Sequence, residues 1–190
     1  MAIGRSIFYK ERDWNDFHFY NGTVLPQVKI VQPSIYHEIR GSITTTYHSD
    51  YYDRLLPVSE RNNGLAFKHD RYSKSKKGVL RGLHWDNKTW KLVQALVGDI
   101  FLVVLDMRKE SPTYGDWNSY LISEKNRDQI LVPPGFANGH FALTNCVFHY
   151  NLFYEGDFVE ENAQCVVKWN DPEFQIEWPT DSPILQKRDR

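Results

Sequence analysis

Short runs in which apolar and polar residues alternate follow one another along most of the chain. The clearest run is Trp90–Val97, and alternation with a period of two is typical of a β-strand that buries one face. Further strand-like runs cover residues 28–31, 42–47, 100–105, 120–122, 129–132, 139–143, 146–154 and 164–168. Helical periodicity is weak throughout. The pattern therefore predicts an all-β fold, either a sandwich, a jelly roll or a barrel, with short peripheral helices.

Local signals add detail to this pattern. Gly98-Asp99 separates the runs at 90–97 and 100–105, and a glycine-containing pair between two strand-like runs predicts a β-hairpin. Residues 49–56 are the best candidate for a short helix. A length of 190 residues suits one domain. Because residues 1–24 lack clear periodicity, we expect an N-terminal extension followed by a single domain over residues 25–190.

Charge and composition exclude several classes of protein. The net charge of −1 gives no electrostatic basis for binding nucleic acid. No apolar run approaches the roughly 20 residues of a membrane span, and the first 17 residues lack the apolar core of a signal peptide. Two cysteines, Cys146 and Cys165, are too few for a disulfide scaffold. These features predict a cytoplasmic protein that binds neither nucleic acid nor membrane.

The residue types needed to move a proton next to a carbonyl are present. Gly78-Val-Leu-Arg-Gly-Leu-His-Trp85 places His84 at the end of a strand-like run with the cation Arg81 nearby, and Trp169-Asn-Asp-Pro172 supplies Asp171. A histidine held by an aspartate is a general base near neutral pH. Tyr150, on an aromatic-rich strand, is a candidate acid.

A metal site is not expected from the same segments. Metal-binding cupins often place a His-x-His pair on one strand and another histidine after a Pro-x-Gly turn. Here the pair position is His84-Trp-Asp86, and the position after the turn in Val132-Pro-Pro-Gly-Phe-Ala-Asn-Gly-His140 is Asn138. Three imidazole ligands cannot be assembled in this register, so we predict no metal.

Seven segments in order give the chain a specific resemblance. They are residues 78–84, 91–93, 106–108, 111–115, 132–139, 169–172 and 183–189. Together they resemble the dTDP-4-dehydrorhamnose 3,5-epimerase family, the RmlC-like sugar-nucleotide epimerases, over residues 25–189. The resemblance implies a cupin-type, double-stranded β jelly roll, a homodimer, and an enzyme of activated-sugar biosynthesis that needs no cofactor or metal.

The resemblance also implies roles for individual residues. His84 resembles the general base, Asp171 its partner in a dyad, and Lys91 the lysine that stabilises the enolate oxygen. Tyr150 resembles the acid, with Phe148 and Tyr154 as alternatives because a one-residue gap would shift the alignment. Arg40 and Arg81 resemble the residues that hold the diphosphate. Further substrate contacts are expected at His69, Thr45, Arg71, Asn138, Glu161 and Arg188, whereas His140 and His149 are interpreted as structural.

Several positions depart from the common pattern of this family. They are His69-Asp70-Arg71, Asp86, Asn138 and Asn151, together with Ile43 and Thr45 after Arg40. The departures fall where the family contacts base and sugar rather than at the proton-transfer residues. The segments at 86–91, 135–140 and 154–158 resemble a branch that acts on GDP-4-keto-heptoses in polysaccharide biosynthesis, so the nucleotide and the length of the sugar stay open.

The sequence thus predicts an epimerase that inverts C3, C5 or both in a nucleotide-linked 4-keto sugar. One alternative is a 3,4-ketoisomerase on the same scaffold, although such proteins use a histidine pair that His84-Trp-Asp86 does not supply. Another is a catalytically silent jelly roll that binds sugar nucleotides, and a third is a metal-dependent cupin oxygenase.

Overall fold

The computed structural model describes residues 18–58 and 66–190 and consists mainly of β-strands. The strands are β1 (His18–Asn21), β2 (Lys29–Gln32), β3 (Ile35–Glu38), β4 (Gly41–Thr44), β5 (Ala66–Ser75), β6 (Leu80–Trp85), β7 (Trp90–Val97), β8 (Asp99–Asp106), β9 (Trp117–Ser123), β10 (Gln129–Val132), β11 (Phe136–Ala142), β12 (Cys146–Tyr154) and β13 (Cys165–Val166). A short helix, α1 (Ser49–Tyr52), leads into a 3-10 turn at Asp53–Leu55, and a second 3-10 turn covers Lys187–Asp189.

Within the described residues, the strands form two large sheets and one small one. The six-stranded sheet has the order β1-β2-β10-β7-β12-β5, and the five-stranded sheet has the order β13-β6-β11-β8-β9. Strands β3 and β4 form a separate two-stranded hairpin. All pairings between these strands are antiparallel. The predicted all-β jelly roll with short peripheral helices is confirmed.

The hairpin predicted at Gly98-Asp99 is wrong. Strand β7 pairs with β10 and β12, whereas β8 pairs with β11 and β9, so the turn carries the chain from one sheet to the other. Gly98 has a φ of +76°, and a Cβ there would lie 2.3 Å from the Asn145 carbonyl oxygen. Two strand-like runs that follow each other in sequence need not pair with each other, and their apolar patterns do not reveal their partners.

The main core lies between the two large sheets, and each sheet also has a covered outer face. The central cluster includes Val93, Ile100, Leu102, Ile130 and Phe136. The outer face of the six-stranded sheet is covered by the segment around α1, and that of the five-stranded sheet by residues near the C-terminus. Strands covered on both faces are apolar on both faces, which explains the continuous apolar run in β8.

The short helix was predicted at residues 49–56 and is confirmed as α1 followed by its 3-10 turn. Tyr52 anchors the helix, because its ring packs on the outer face of the six-stranded sheet and its hydroxyl donates to Gln129 Oε1 at 2.9 Å.

The six-stranded sheet begins at β1, ahead of the domain boundary expected at Leu25. Residues 1–17 of the expected extension lie outside the described residues. No helix in the described part of the chain is long and apolar enough to cross a membrane.

Two glycines allow β6 and β11 to approach closely. Gly82 has a φ of +108°, and a Cβ at this position would lie 2.7 Å from both the Asn138 carbonyl oxygen and Gly139 Cα. A Cβ on Gly139 would in turn lie 3.0 Å from the Arg81 carbonyl oxygen. The ladder has an irregularity here, between the pairs Asn138↔His84 and His140↔Arg81. These two pairs border a cavity between the sheets.

Candidate active site

A cavity of about 170 Å³ opens between the two large sheets. Its lining is contributed by both sheets and by the segments that cross their ends: Arg71, Ser73, Arg81, His84, Lys91, Val93, Asn138, His140, Phe148, Tyr150, Leu152, Phe158, Glu161, Gln164, Gln186 and Arg188. A mixture of apolar walls with a few converging polar groups is the usual composition of a small-molecule site. The cavity therefore brings together most of the site residues that the sequence predicted.

His84 is held by Asp189 on the wall formed by the five-stranded sheet. The Nε2 atom of His84 lies 2.8 Å from Asp189 Oδ1. Burial raises the pKa of the Asp189 carboxyl, but the hydrogen bond and charge of His84, with help from Gly82 and Gln186, hold that pKa below its ordinary value. Because the carboxylate is ionised, Nε2 carries the proton and donates it. The Nδ1 atom of His84 is then left as the basic nitrogen.

Asp171 was predicted as the partner of His84, and the structure corrects this prediction. Asp171 Oδ1 accepts the backbone N–H of Glu173 at 3.0 Å, so this carboxylate closes its own turn and does not contact His84. The C-terminal segment instead pairs beside β6, where Leu80 N–H donates to the Ile184 carbonyl at 3.0 Å. The following 3-10 turn then buries Asp189 against His84. The signal was available, because Asp189 ends the segment 183–189 that contributed to the resemblance.

Lys91 reaches across from the six-stranded sheet to the opposite wall. Its Nζ donates to the His84 carbonyl at 3.1 Å and to Asn138 Oδ1 at 2.9 Å. Burial lowers the pKa of Lys91 to about 8, with Asp86 opposing the shift and Arg188 adding to it. An ammonium has three N–H donors, and the two bonds to protein acceptors leave one for a ligand. Lys91 is thus a fixed, buried cation beside the base.

Tyr150 faces the cavity from β12, on the wall opposite His84. Its ring packs on the central core and on the Phe148 ring, and the centroids of the Tyr150 and Phe148 rings are 5.6 Å apart. No hydrogen bond joins its hydroxyl to another group of the described residues. The two alternatives are less suitable, because Phe148 has no proton to donate and the Tyr154 hydroxyl lies 3.3 Å from His69 Nε2, outside the cavity lining. The geometry therefore favours Tyr150.

Positive charge surrounds the cavity. Arg81 is fixed by Ser75, to whose Oγ its Nε donates at 3.0 Å. Arg71 lies over the Phe158 ring, with its guanidinium carbon 4.9 Å from the ring centroid, and forms a 3.9 Å ion pair with Glu161. Arg188 has a buried Nη2 without a hydrogen-bond partner among the described residues. The predicted contacts at these positions share one cavity, whose cations suit a phosphate-bearing ligand.

Three other predicted site residues lie outside the lining of this cavity. Arg40 sits on the β3–β4 hairpin with its side chain 80% exposed, and it pairs with Glu38 at 2.7 Å. The carbonyl oxygen of Thr45 lies 3.1 Å from the Tyr52 hydroxyl, whose one proton it shares with Gln129 Oε1. His69 contacts the Phe158 ring, with ring centroids 4.7 Å apart, and so lies one layer behind the lining. None of the three lines the cavity of its own chain.

Several lining residues were not predicted. They are Ser73, Val93, His140, Leu152, Phe158, Gln164 and Gln186. Phe158 and Gln186 stand on segments that cross the ends of the sheets, where alternation gives no information about position, and Gln164 comes directly before β13. Among the described residues, no group of three or more histidine, cysteine, aspartate or glutamate side chains is arranged to hold a metal ion.

The fold and the site define a class of protein: a β jelly roll whose cavity carries a His–Asp pair, a lysine and a tyrosine for acid–base chemistry. The family model for dTDP-4-dehydrorhamnose 3,5-epimerase matches residues 22–190. The chain belongs to this family. The predictions that it is RmlC-like, and that its class of enzyme is an isomerase, are confirmed.

Individual relatives agree with this assignment. A dTDP-4-dehydrorhamnose 3,5-epimerase of Pseudomonas aeruginosa is 35% identical over 170 residues, which cover 87% of this chain and 90% of the relative. The RmlC epimerase of Legionella pneumophila, solved in complex with dTDP-4-keto-L-rhamnose, is 32% identical with a TM-score of 0.81 and covers 91% of this chain and 89% of that chain. The Bacillus anthracis enzyme, solved with TDP and PPi bound, is 31% identical with a TM-score of 0.80 and covers 92% and 97% respectively.

The assignment of Asp189, and not Asp171, as the partner of His84 can be tested by making the same substitution at both positions. Asp189→Asn should lower epimerase turnover by at least about 100-fold, because the amide no longer stabilises the imidazolium that forms on proton abstraction. Asp171→Asn should leave turnover within about twofold, since this carboxylate only closes a turn. Steady-state kinetics of both purified variants would measure the difference. Equal losses in the two variants, or a loss confined to Asp171→Asn, would contradict the assignment.

Proposed function

We propose that the chain inverts C3, C5 or both of a nucleotide-diphosphate-linked 4-keto sugar by proton abstraction and reprotonation. One observation carries the proposal: the base His84, held by Asp189, and the acid Tyr150 line opposite walls of one cavity. A sugar ring between the walls would lose a proton on one face and gain a proton on the other. Delivery to the opposite face is what inverts a carbon centre.

In the first step, His84 Nδ1 takes the proton from a carbon next to the C4 ketone. The C–H bond breaks, its electron pair forms the enolate double bond, and the carbonyl π electrons move to the C4 oxygen. Asp189 stabilises the imidazolium that results, because its ionised carboxylate accepts a hydrogen bond from Nε2–H. The Nε2 and Oδ1 atoms are 2.8 Å apart. The dyad thus keeps the base in the correct tautomer and compensates its new charge.

Lys91 stabilises the enolate oxygen. It is buried, and two of its N–H groups are already fixed by His84 and Asn138, so the third requires little reorganisation to meet the developing charge. Tyr150 then donates its phenolic proton to the carbon from the opposite face, and the enolate electrons return to form that C–H bond and the C4 ketone. The tyrosinate recovers a proton from solvent, and the His84 imidazolium releases its proton to solvent. Two such rounds, with the ring repositioned between them, would invert both C3 and C5.

The cations around the cavity are proposed to hold the diphosphate. Arg71, Arg81 and Arg188 all line the cavity, and guanidinium groups match phosphate oxygens in geometry as well as charge. The Legionella pneumophila and Bacillus anthracis relatives were solved with dTDP-4-keto-L-rhamnose and with TDP and PPi. These ligands make dTDP the first nucleotide to test, with GDP and a 4-keto-heptose as the alternative suggested by the sequence.

A homodimer would give Arg40 a role. The β3–β4 hairpin forms its own small sheet, and its apolar side chains Tyr36 and Ile43 are 44% and 53% exposed. Arg40 does not line the cavity of its own chain, so a diphosphate contact from this residue requires a second copy. We propose that the hairpin packs on a partner subunit and brings Arg40 to its cavity. A cytoplasmic location, where nucleotide sugars are made, remains part of the proposal.

Proton exchange in deuterated water tests the reaction. The protein should remove the C3 or C5 proton signal of dTDP-4-keto-6-deoxyglucose, its GDP counterpart or a GDP-4-keto-heptose, as followed by proton NMR. His84→Asn should slow this exchange by at least about 100-fold while leaving nucleotide binding within about tenfold, because the base acts on the transition state more than on the ground state.

Tyr150→Phe provides the matched control for that experiment. Without the acid, His84 can still return a deuteron to the carbon it deprotonated, so exchange should persist while inversion is lost. If the folded wild type binds the nucleotide but exchanges no proton, the silent sugar-nucleotide-binding alternative is correct. Movement of the ketone to C3 would identify the ketoisomerase.

The pH dependence tests Lys91. Its pKa of about 8 means that the amine is charged below this pH and neutral above it. Stabilisation of the enolate should therefore be lost as pH rises, and kcat/KM should fall above about pH 8. Lys91→Arg, which stays charged, should remove this alkaline limb even if the rate is lower at every pH. If kcat/KM of Lys91→Arg falls at high pH as it does in the wild type, a group other than Lys91 causes the decrease.

The subunit arrangement has its own test. Light scattering should give twice the mass of the chain, and Arg40→Ala should keep that mass but weaken dTDP or GDP binding by about tenfold. Arg54→Ala, which removes the same charge from an exposed position beside α1, serves as the control and should bind normally. A monomer with full nucleotide affinity would rule out the proposed role of the hairpin.

A further inference from the structure

His140 is a buried histidine that the proton-transfer steps do not use. Its residue exposure is 4%, it lines the cavity, and its Nε2 is buried without a hydrogen-bond partner among the described residues. The ring stacks on Phe148, with centroids 4.1 Å apart and planes 22° from parallel. The sequence had indicated a structural role, but a structural histidine normally has its ring nitrogens paired.

The strand register places His140 beside the reacting groups. It pairs with Arg81 across β6 and β11, and the next pair along the ladder is Asn138 with His84. On β11, Asn138 and His140 are two residues apart and both line the cavity, as expected for the same face of a strand. A sugar positioned for His84 would therefore lie close to the His140 ring.

The charge state of His140 limits the ligand group that it can bind. Burial lowers the pKa of His140 to about 3, and the nearby Arg81 and His84 add to this effect while Asp189 opposes it. The ring is therefore neutral at working pH. A neutral imidazole donates from one nitrogen and accepts at the other, which suits a hydroxyl group better than a phosphate.

The stack on Phe148 does not explain why this position holds a histidine. A phenylalanine ring would fill the same space against Phe148 and would leave no buried nitrogen unpaired. An unpaired buried polar atom destabilises the empty protein, and this penalty disappears when a partner binds. A ligand group that binds this nitrogen would account for it.

We propose that His140 is a specificity-determining residue whose imidazole hydrogen-bonds a hydroxyl group of the substrate's sugar. The contact selects sugars with a hydroxyl at this point and fixes the ring between His84 and Tyr150. The inference rests on the proposed binding of a nucleotide-linked sugar, but it does not depend on turnover.

Calorimetry with two matched ligands tests the proposal in the full-length protein. The probes are dTDP and dTDP-glucose, or GDP and GDP-mannose if the wild type prefers GDP, and none of these has a 4-keto group to react. His140→Phe should weaken binding of the sugar-bearing ligand by about tenfold, the usual worth of a hydrogen bond. Binding of the free nucleotide should stay within about twofold. His140→Gln, which keeps a donor and an acceptor, should recover part of the loss.

Thermal unfolding of the empty variants separates a binding role from a structural one. His140→Phe should melt at the wild-type temperature or above it, because it removes an unpaired buried nitrogen and keeps the stack. An equal change in affinity for nucleotide and sugar nucleotide, or no change for either, would overturn the proposal. If the wild type binds the sugar nucleotide but exchanges no proton, the proposed epimerisation is refuted. The affinities of His140→Phe for the nucleotide and the sugar nucleotide would still test the proposed contact.

Discussion

The close approach of β6 and β11 is the constraint on which the site depends. Gly82 and Gly139 face each other where any Cβ would meet backbone atoms of the other strand. Backbone groups cannot move aside as a flexible side chain can, so Gly82, where a Cβ would lie 2.7 Å from two backbone atoms, excludes larger residues. A Cβ at Gly139 would lie 3.0 Å from the Arg81 carbonyl oxygen, a tight contact. The approach fixes the register that pairs Asn138 with His84 and His140 with Arg81. One contact between strands thereby aims the base, a cation and two neutral polar groups into the same cavity.

Polar bonds across the cavity connect the two sheets. Lys91 extends from β7 to the carbonyl of His84 and to Asn138, and this places a buried cation where an enolate would form. Asp189 supplies a buried negative charge on the other side of His84. A lysine and a carboxylate are both unfavourable in an apolar interior unless they are paired. Here each is held by the base or its backbone, so the groups that stabilise charge also hold the base in place.

The sequence predicted the site residues on strands better than those on the irregular segments that close the cavity. His84, Lys91 and Tyr150 were predicted from the resemblance of their segments to the family, and the regular strands that carry them bring all three to one cavity. Asp171 was predicted as the partner of His84 and Asp189 was missed, because both follow β13 in irregular segments, where spacing does not reveal which carboxylate returns to the cavity. The hairpin at Gly98-Asp99 was wrong for a related reason, since alternation does not reveal the pairing partner. Arg40 could not be placed, because its proposed contact requires a second chain.

The inward face of β11 brings two neutral polar residues to the cavity beside the proposed base. Asn138 holds the Lys91 ammonium, and His140 presents a neutral imidazole with an unpaired nitrogen. In the proposed mechanism neither residue transfers the reacting proton, which His84 and Tyr150 exchange from the two walls. A substitution at His140 would therefore alter how the sugar is held while base and acid keep their separation, whereas one at Asn138 would also remove a hydrogen bond of Lys91. If His140 selects the sugar as proposed, selection and proton transfer rest on different residues of the same cavity, so that one jelly roll could accept another sugar without a change of base or acid.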